Sequence, residues 1–133
     1  MRGVKPEARA DAKALARVPR VPAWLSTHAK AEWKRVAPIL VARRVLTDAD
    51  LGTLEGYCVA TGTVRACEVE IARDGVTIDT PTGRKRHPAT GIQSAALQSA
   101  RLAANELGLT PVSRSRPAIR TDEDRDDDSP LGM

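Results

Sequence analysis

Phenylalanine is absent from this 133-residue chain, and Tyr57 is its only tyrosine. With so few rings there is no platform on which single-stranded bases could stack, and Trp24 and Trp33 must supply nearly all aromatic packing. Large aliphatics are scarce as well. Leu, Ile and Val together number 27, near the level where burial by one copy barely supports a fold, so oligomerisation would help. No apolar run approaches the roughly 20 residues needed to cross a membrane. The amino-terminal stretch has no apolar signal core, and Glu7 and Asp11 speak against a transit peptide, so a soluble intracellular protein is expected.

Catalytic furniture is missing too. There is no Gly-rich phosphate loop and no recognisable Ser/His/Asp or Cys/His arrangement, so neither an enzyme nor a bound cofactor is expected. Cys58 and Cys67 fall on one predicted helix, nine residues and therefore about 13.5 Å apart along its axis. They cannot share a metal or a disulfide, and buried small side chains are the simpler reading. Asp48 and Asp50 are explained by a helix start, His28 by an exposed first turn, and His87 by a turn before Pro88.

What the chain does have is alanine, 21 of them, and charge. The composition is that of a helical protein poor in strand formers. Residues 1–120 carry 20 Lys/Arg against 11 Asp/Glu, whereas residues 121–133 carry one Arg against six acids. A basic body favours a polyanionic partner, and the acidic end suits a basic protein or screening of the body. Three regions follow: a basic, mostly disordered arm over 1–21 (including Arg2, Lys5, Arg9, Lys13, Arg17 and Arg20), one helical domain over 22–116, and an acidic, disordered tail over 117–133.

Within the domain, Ser26 is placed to cap a helix whose stripe reads Ala29, Trp33, Val36 and Leu40. Pro38 should kink that helix or begin a new segment. Thr47-Asp48-Ala49-Asp50 reads as a variant capping box opening a long helix from Asp48 to Arg73, ended by Gly75. The two helices look like an antiparallel hairpin, since the second is too long for a helix-turn-helix and no glycine lies in the turn. Val76-Thr77-Ile78 has strand character and Pro81-Thr82-Gly83 turn chemistry, so a small β-hairpin or loop carries Arg84, Lys85 and Arg86. Pro88 begins a third helix ending near Leu107, with Gly108 as its cap. The fold class is thus mainly α, with a helical hairpin, a further long helix and a small β insertion.

Several stretches together match a known pattern: Pro22-Ala23-Trp24-Leu25, the Trp33-centred run from Ala31 to Leu40, Leu46-Thr47-Asp48-Ala49-Asp50, Tyr57-Cys58, His87-Pro88, and the closing run from Leu107 to Arg114. In this order they resemble the small terminase subunits of tailed phages and prophages, over about residues 22–116. The resemblance implies a non-enzymatic DNA-packaging factor of the host bacterial cytoplasm. It would assemble as a homo-oligomeric ring, bind double-stranded viral DNA, and recruit or regulate the large subunit that carries the ATPase motor and nuclease, with an HNH endonuclease as a further partner. The basic clusters themselves, Arg84, Lys85 and Arg86, Arg43 and Arg44, and Lys34 and Arg35, are the candidates for DNA phosphates. Tyr57, Val64, Ile71, Ile92, Ala96, Leu102 and Ala103 are candidates for the ring interface. Asp122, Glu123, Asp124, Asp126, Asp127 and Asp128 are candidates for the large subunit. Two other readings share the charge pattern: a small dimeric DNA-binding regulator, and a helical interaction module for an acidic protein.

Overall fold

The computed structural model describes residues 13–115. Helix α1 covers Thr27–Ala42 and starts as its spacing predicts, with the Ser26 hydroxyl accepting from the Ala29 N–H at 3.2 Å. Ala29, Trp33, Val36 and Leu40 are buried along it. Pro38 neither ends nor divides α1. Pro38 and Lys34, whose carbonyl loses its helical donor, both lie on the exposed side, where water can take that bond. Trp24, expected to share the aromatic packing, is instead 64% exposed; Trp33 does the packing, at 2%.

The capping box forms. Thr47 donates its backbone N–H and its hydroxyl to the Asp50 carboxylate, each at 3.0 Å. The helix it opens begins with a tight 3-10 turn, Asp48–Asp50, and continues as α2, Leu51–Asp74. Gly75, at φ +92, closes it with an N–H to the Ile71 carbonyl. Strands β1, Thr77–Thr80, and β2, Gly83–Arg86, then pair antiparallel across a Pro81-Thr82 turn, and Gly83 takes φ +119 beside that turn. Helix α3 spans Pro88–Glu106.

Helices α1 and α3 end alike. At α1 the N–H groups of Arg44 and Val45 return to the carbonyls of Val41 and Leu40; at α3 those of Gly108 and Leu109 return to Asn105 and Ala104. This paired closure needs a left-handed residue. Gly108 supplies it at no steric cost with φ +74, whereas Arg44 adopts φ +61 despite its side chain.

Helix α2 is the middle of the bundle, antiparallel to both neighbours. Toward α1 it buries Leu54 and Cys58 with Val36, Leu40 and Trp33 in the main core, which Ala104 of α3 and Leu107 just after it complete. Gly62 lets the first turn of α1 approach closely, since a Cβ there would lie 2.9 Å from the Ala29 nitrogen. Farther along, Cys67 and Ile71 pack with Ala89 of α3 in a smaller cluster. Cys58 and Cys67 are free thiols in separate clusters, and burial pushes the Cys58 thiol up to about 12.

Residues 13–21, assigned by composition to a disordered arm, lie along the body. The Leu15 N–H reaches the Leu46 carbonyl at 2.8 Å, Trp33 Nε1 donates to the Pro19 carbonyl at 3.0 Å, and Leu15 and Val21 pack on the core. Two apolar anchors and a buried indole donor outweigh the polar average of the segment. Residues 111–115 form a short helical turn after Thr110, whose hydroxyl accepts from the Ser113 N–H at 3.0 Å.

Candidate nucleic-acid interface

The β1–β2 ribbon is held at its base by one residue. His87 donates its backbone N–H to the Val76 carbonyl at 2.7 Å, and its ring Nδ1 accepts from the Ala89 N–H at 3.0 Å, capping α3. Because Nδ1 is an acceptor, Nε2 carries the proton and donates to Asp74 at 2.9 Å. Arg73 grips the same carboxylate at 2.8 and 2.9 Å. Arg73 first, and His87 with it, holds the Asp74 carboxyl far below the usual carboxylate range. His87 is therefore a buried junction of α2, the ribbon and α3, rather than the simple turn residue expected.

Register then sorts the ribbon's charges. Asp79 faces Arg84, Ile78 faces Lys85 and Thr77 faces Arg86. Arg84 is occupied by its own ribbon, with Nη1 on Asp79 at 2.8 Å and Nε on the Thr77 hydroxyl at 3.0 Å. Lys85 and Arg86 are exposed, and the Arg86 guanidinium lies 4.0 Å from where a Cβ on Gly91 would stand, over the first turn of α3.

The other candidate cations are not brought to this place. Arg43 and Arg44 follow α1 at the opposite end of α2, where Arg43 Nη1 donates to the Gly108 carbonyl at 3.3 Å. The 24 residues of α2 separate the two ends by about 36 Å. Lys34 is exposed midway along α1. Arg35 is drawn into a network that composition and spacing did not reveal.

At its centre is Glu32, fully buried in α1. Its carboxylate accepts from Arg35 Nε at 3.0 Å and Nη2 at 2.5 Å, from the Tyr57 hydroxyl at 2.5 Å, and from Arg65 Nη2 at 2.9 Å. Burial alone would raise this carboxyl, but the hydrogen bonds from Arg35, Tyr57 and Arg65 together outweigh it and hold it at about 2. The available signal was positional: a glutamate set between Ala29, Trp33 and Val36 on the apolar stripe requires a partner.

Of the expected interface residues, Tyr57, Ile71 and Ala96 are buried within the chain itself, and Val64 and Ala103 are half-buried. Ile92 and Leu102 remain on the surface, Leu102 at 54%. Arg2, Lys5, Arg9 and the acidic candidates Asp122, Glu123, Asp124, Asp126, Asp127 and Asp128 lie outside the described residues. Among the described residues no helix is long and apolar enough to cross a membrane, and no group of three or more His, Cys, Asp or Glu could hold a metal ion.

The family model of the phage terminase small subunit matches residues 29–124. The chain belongs to that family. No curated protein and no solved structure matches it. Its role is thus that of a terminase small subunit, a family generally without catalytic activity, and association with DNA and with a large subunit is general to the family. The matched span takes in α1 from Ala29 onward, α2, the ribbon and α3, so the Glu32 network and the exposed ribbon cations both lie inside it.

Proposed function

We propose that this small subunit holds viral duplex DNA through its ribbon, assembles as a homo-oligomeric ring, and recruits or regulates the large ATPase-nuclease subunit in the host cytoplasm. The observation that carries the DNA contact is the pair Lys85 and Arg86, exposed on a two-stranded ribbon at the end of the bundle. Cations so presented can displace counterions from phosphates, at a slope of about −0.9 in log K per log salt for each phosphate met. Replacing both by glutamine is expected to weaken duplex binding and flatten that slope by about 2. Asp79→Asn, which releases Arg84, is expected to shift affinity the other way. Fluorescence anisotropy across a salt series measures both; an unchanged slope in the Lys85/Arg86 double variant would remove the ribbon from the interface.

Ring assembly needs two different surfaces meeting head to tail. One is the outer face of α3, where Ile92 and Leu102 are exposed. The other is a stripe of α2 carrying Gly52, Gly56, Val59 and Ala66, all exposed. Interior helical glycine costs about 1 kcal/mol relative to alanine, and nothing lies within 4 Å of a Cβ at Gly52 or Gly56. Close approach by a second copy gives these glycines a purpose. Leu102→Glu should leave helicity unchanged and reduce the native mass to that of a monomer or a small oligomer. A native mass spectrum identical to the parent protein would exclude this face. The acidic run Asp122 to Asp128 supplies charge for the large subunit.

A further inference from the structure

Arg35 and Arg65 come from different helices and meet on one buried carboxylate. Arg35 uses two N–H groups on Glu32 and Arg65 uses one. Each guanidinium has five such donors, and the side chains stay 58% and 41% exposed. The Tyr57 hydroxyl already assists Arg35 in satisfying Glu32. Two cations over one anion leave a net positive charge at a rigid position, more than neutralising the carboxylate requires. Glu68, one turn beyond Arg65 on α2, accepts from Gln93 of α3 at 3.0 Å.

We propose that Arg35 and Arg65, held in place by Glu32, form a second phosphate-binding site on the seam between α1 and α2. Guanidinium geometry suits phosphate oxygens, and side chains already pinned lose less freedom on binding. The occupant is a backbone phosphate of duplex DNA, so the site rests on the reading that this subunit binds duplex. From Arg65 to Asp74, at the ribbon's base, nine residues of α2 span about 14 Å. That equals about four base pairs at 3.4 Å per step, so one short stretch of duplex can reach both.

The test is duplex binding by the full chain over a salt series, with native mass and thermal unfolding recorded in parallel. Arg65→Gln should lower affinity about fivefold at 0.15 M salt and flatten the slope by about 1, the share of one phosphate. Arg65→Lys, which keeps the charge, should restore the slope. An intact assembly of Arg65→Gln that binds with unchanged affinity and slope would overturn the seam site. If Lys85→Gln/Arg86→Gln weakens binding in that case, the ribbon reading stands without it. If instead Arg65→Gln weakens binding and the ribbon variant does not, the ribbon reading falls and the seam site stands. Should Arg65→Gln fail to fold, the unaltered protein is treated with phenylglyoxal: protection of Arg65 by duplex supports the site, and equal modification with and without duplex overturns it.

Discussion

Acidifying the protein from about pH 4.5 to about pH 2 is expected to remove about 3 kcal/mol of stability through Glu32 alone. Its carboxyl titrates near the ordinary 4.5 when unfolded and at about 2 when folded, so the unfolded chain takes up the proton first. The contribution is complete above the unfolded value and is lost as pH falls through the folded one. Arg35, Tyr57 and Arg65 all donate to the ionised form, and protonation turns an acceptor into a donor facing donors. Urea unfolding at several pH values, for the parent chain and for Glu32→Gln, measures the effect as a difference. The stability gap between the two should shrink by about 3 kcal/mol across this window. A gap independent of pH would mean that Glu32 is not held ionised by its neighbours.

The second large effect concerns two glycines of α2 whose substitution by alanine should have opposite signs. At Gly62 a Cβ would stand 2.9 Å from the Ala29 nitrogen, 3.1 Å from the Ala29 Cβ and 3.1 Å from the Ser26 hydroxyl. The nitrogen is backbone and cannot step aside, so the first turn of α1 and its cap must move. Overpacking of this kind costs about 1 to 3 kcal/mol, which exceeds the gain of about 1 kcal/mol in helix propensity. Gly62→Ala should therefore destabilise the chain by up to about 2 kcal/mol. At Gly56 the space is open, and alanine should stabilise the isolated chain by about 1 kcal/mol while weakening assembly. Denaturant midpoints and native mass for the two variants decide it. Stabilisation by Gly62→Ala would refute the close approach of α1, and unimpaired assembly of Gly56→Ala would refute the glycine stripe as an interface.

Features set by neighbours along the chain could be read from the sequence. The Ser26 cap, the Thr47 box, the Pro81-Thr82 turn and the Gly108 closure each involve groups within about five residues, and all four form. Partnerships across the fold could not. Nothing local tells that Tyr57 and Arg65 converge on Glu32, or that Asp74 meets the His87 ring. Burial within the chain was equally out of reach: Tyr57 and Ile71, candidates for the ring interface, are buried inside it. The two tryptophans differ for a related reason. Trp33 lies on the stripe facing α2, and Trp24 precedes the helix that would have given it a buried side.

Helix α2, unbroken over 24 residues, also sets a measuring length. Its span of about 36 Å is close to one full turn of B-form DNA. Aligned with a duplex axis, the ribbon pole and the pole carrying Arg43 and Arg44 would confront the same side of the double helix one turn apart, in phase rather than on opposite faces.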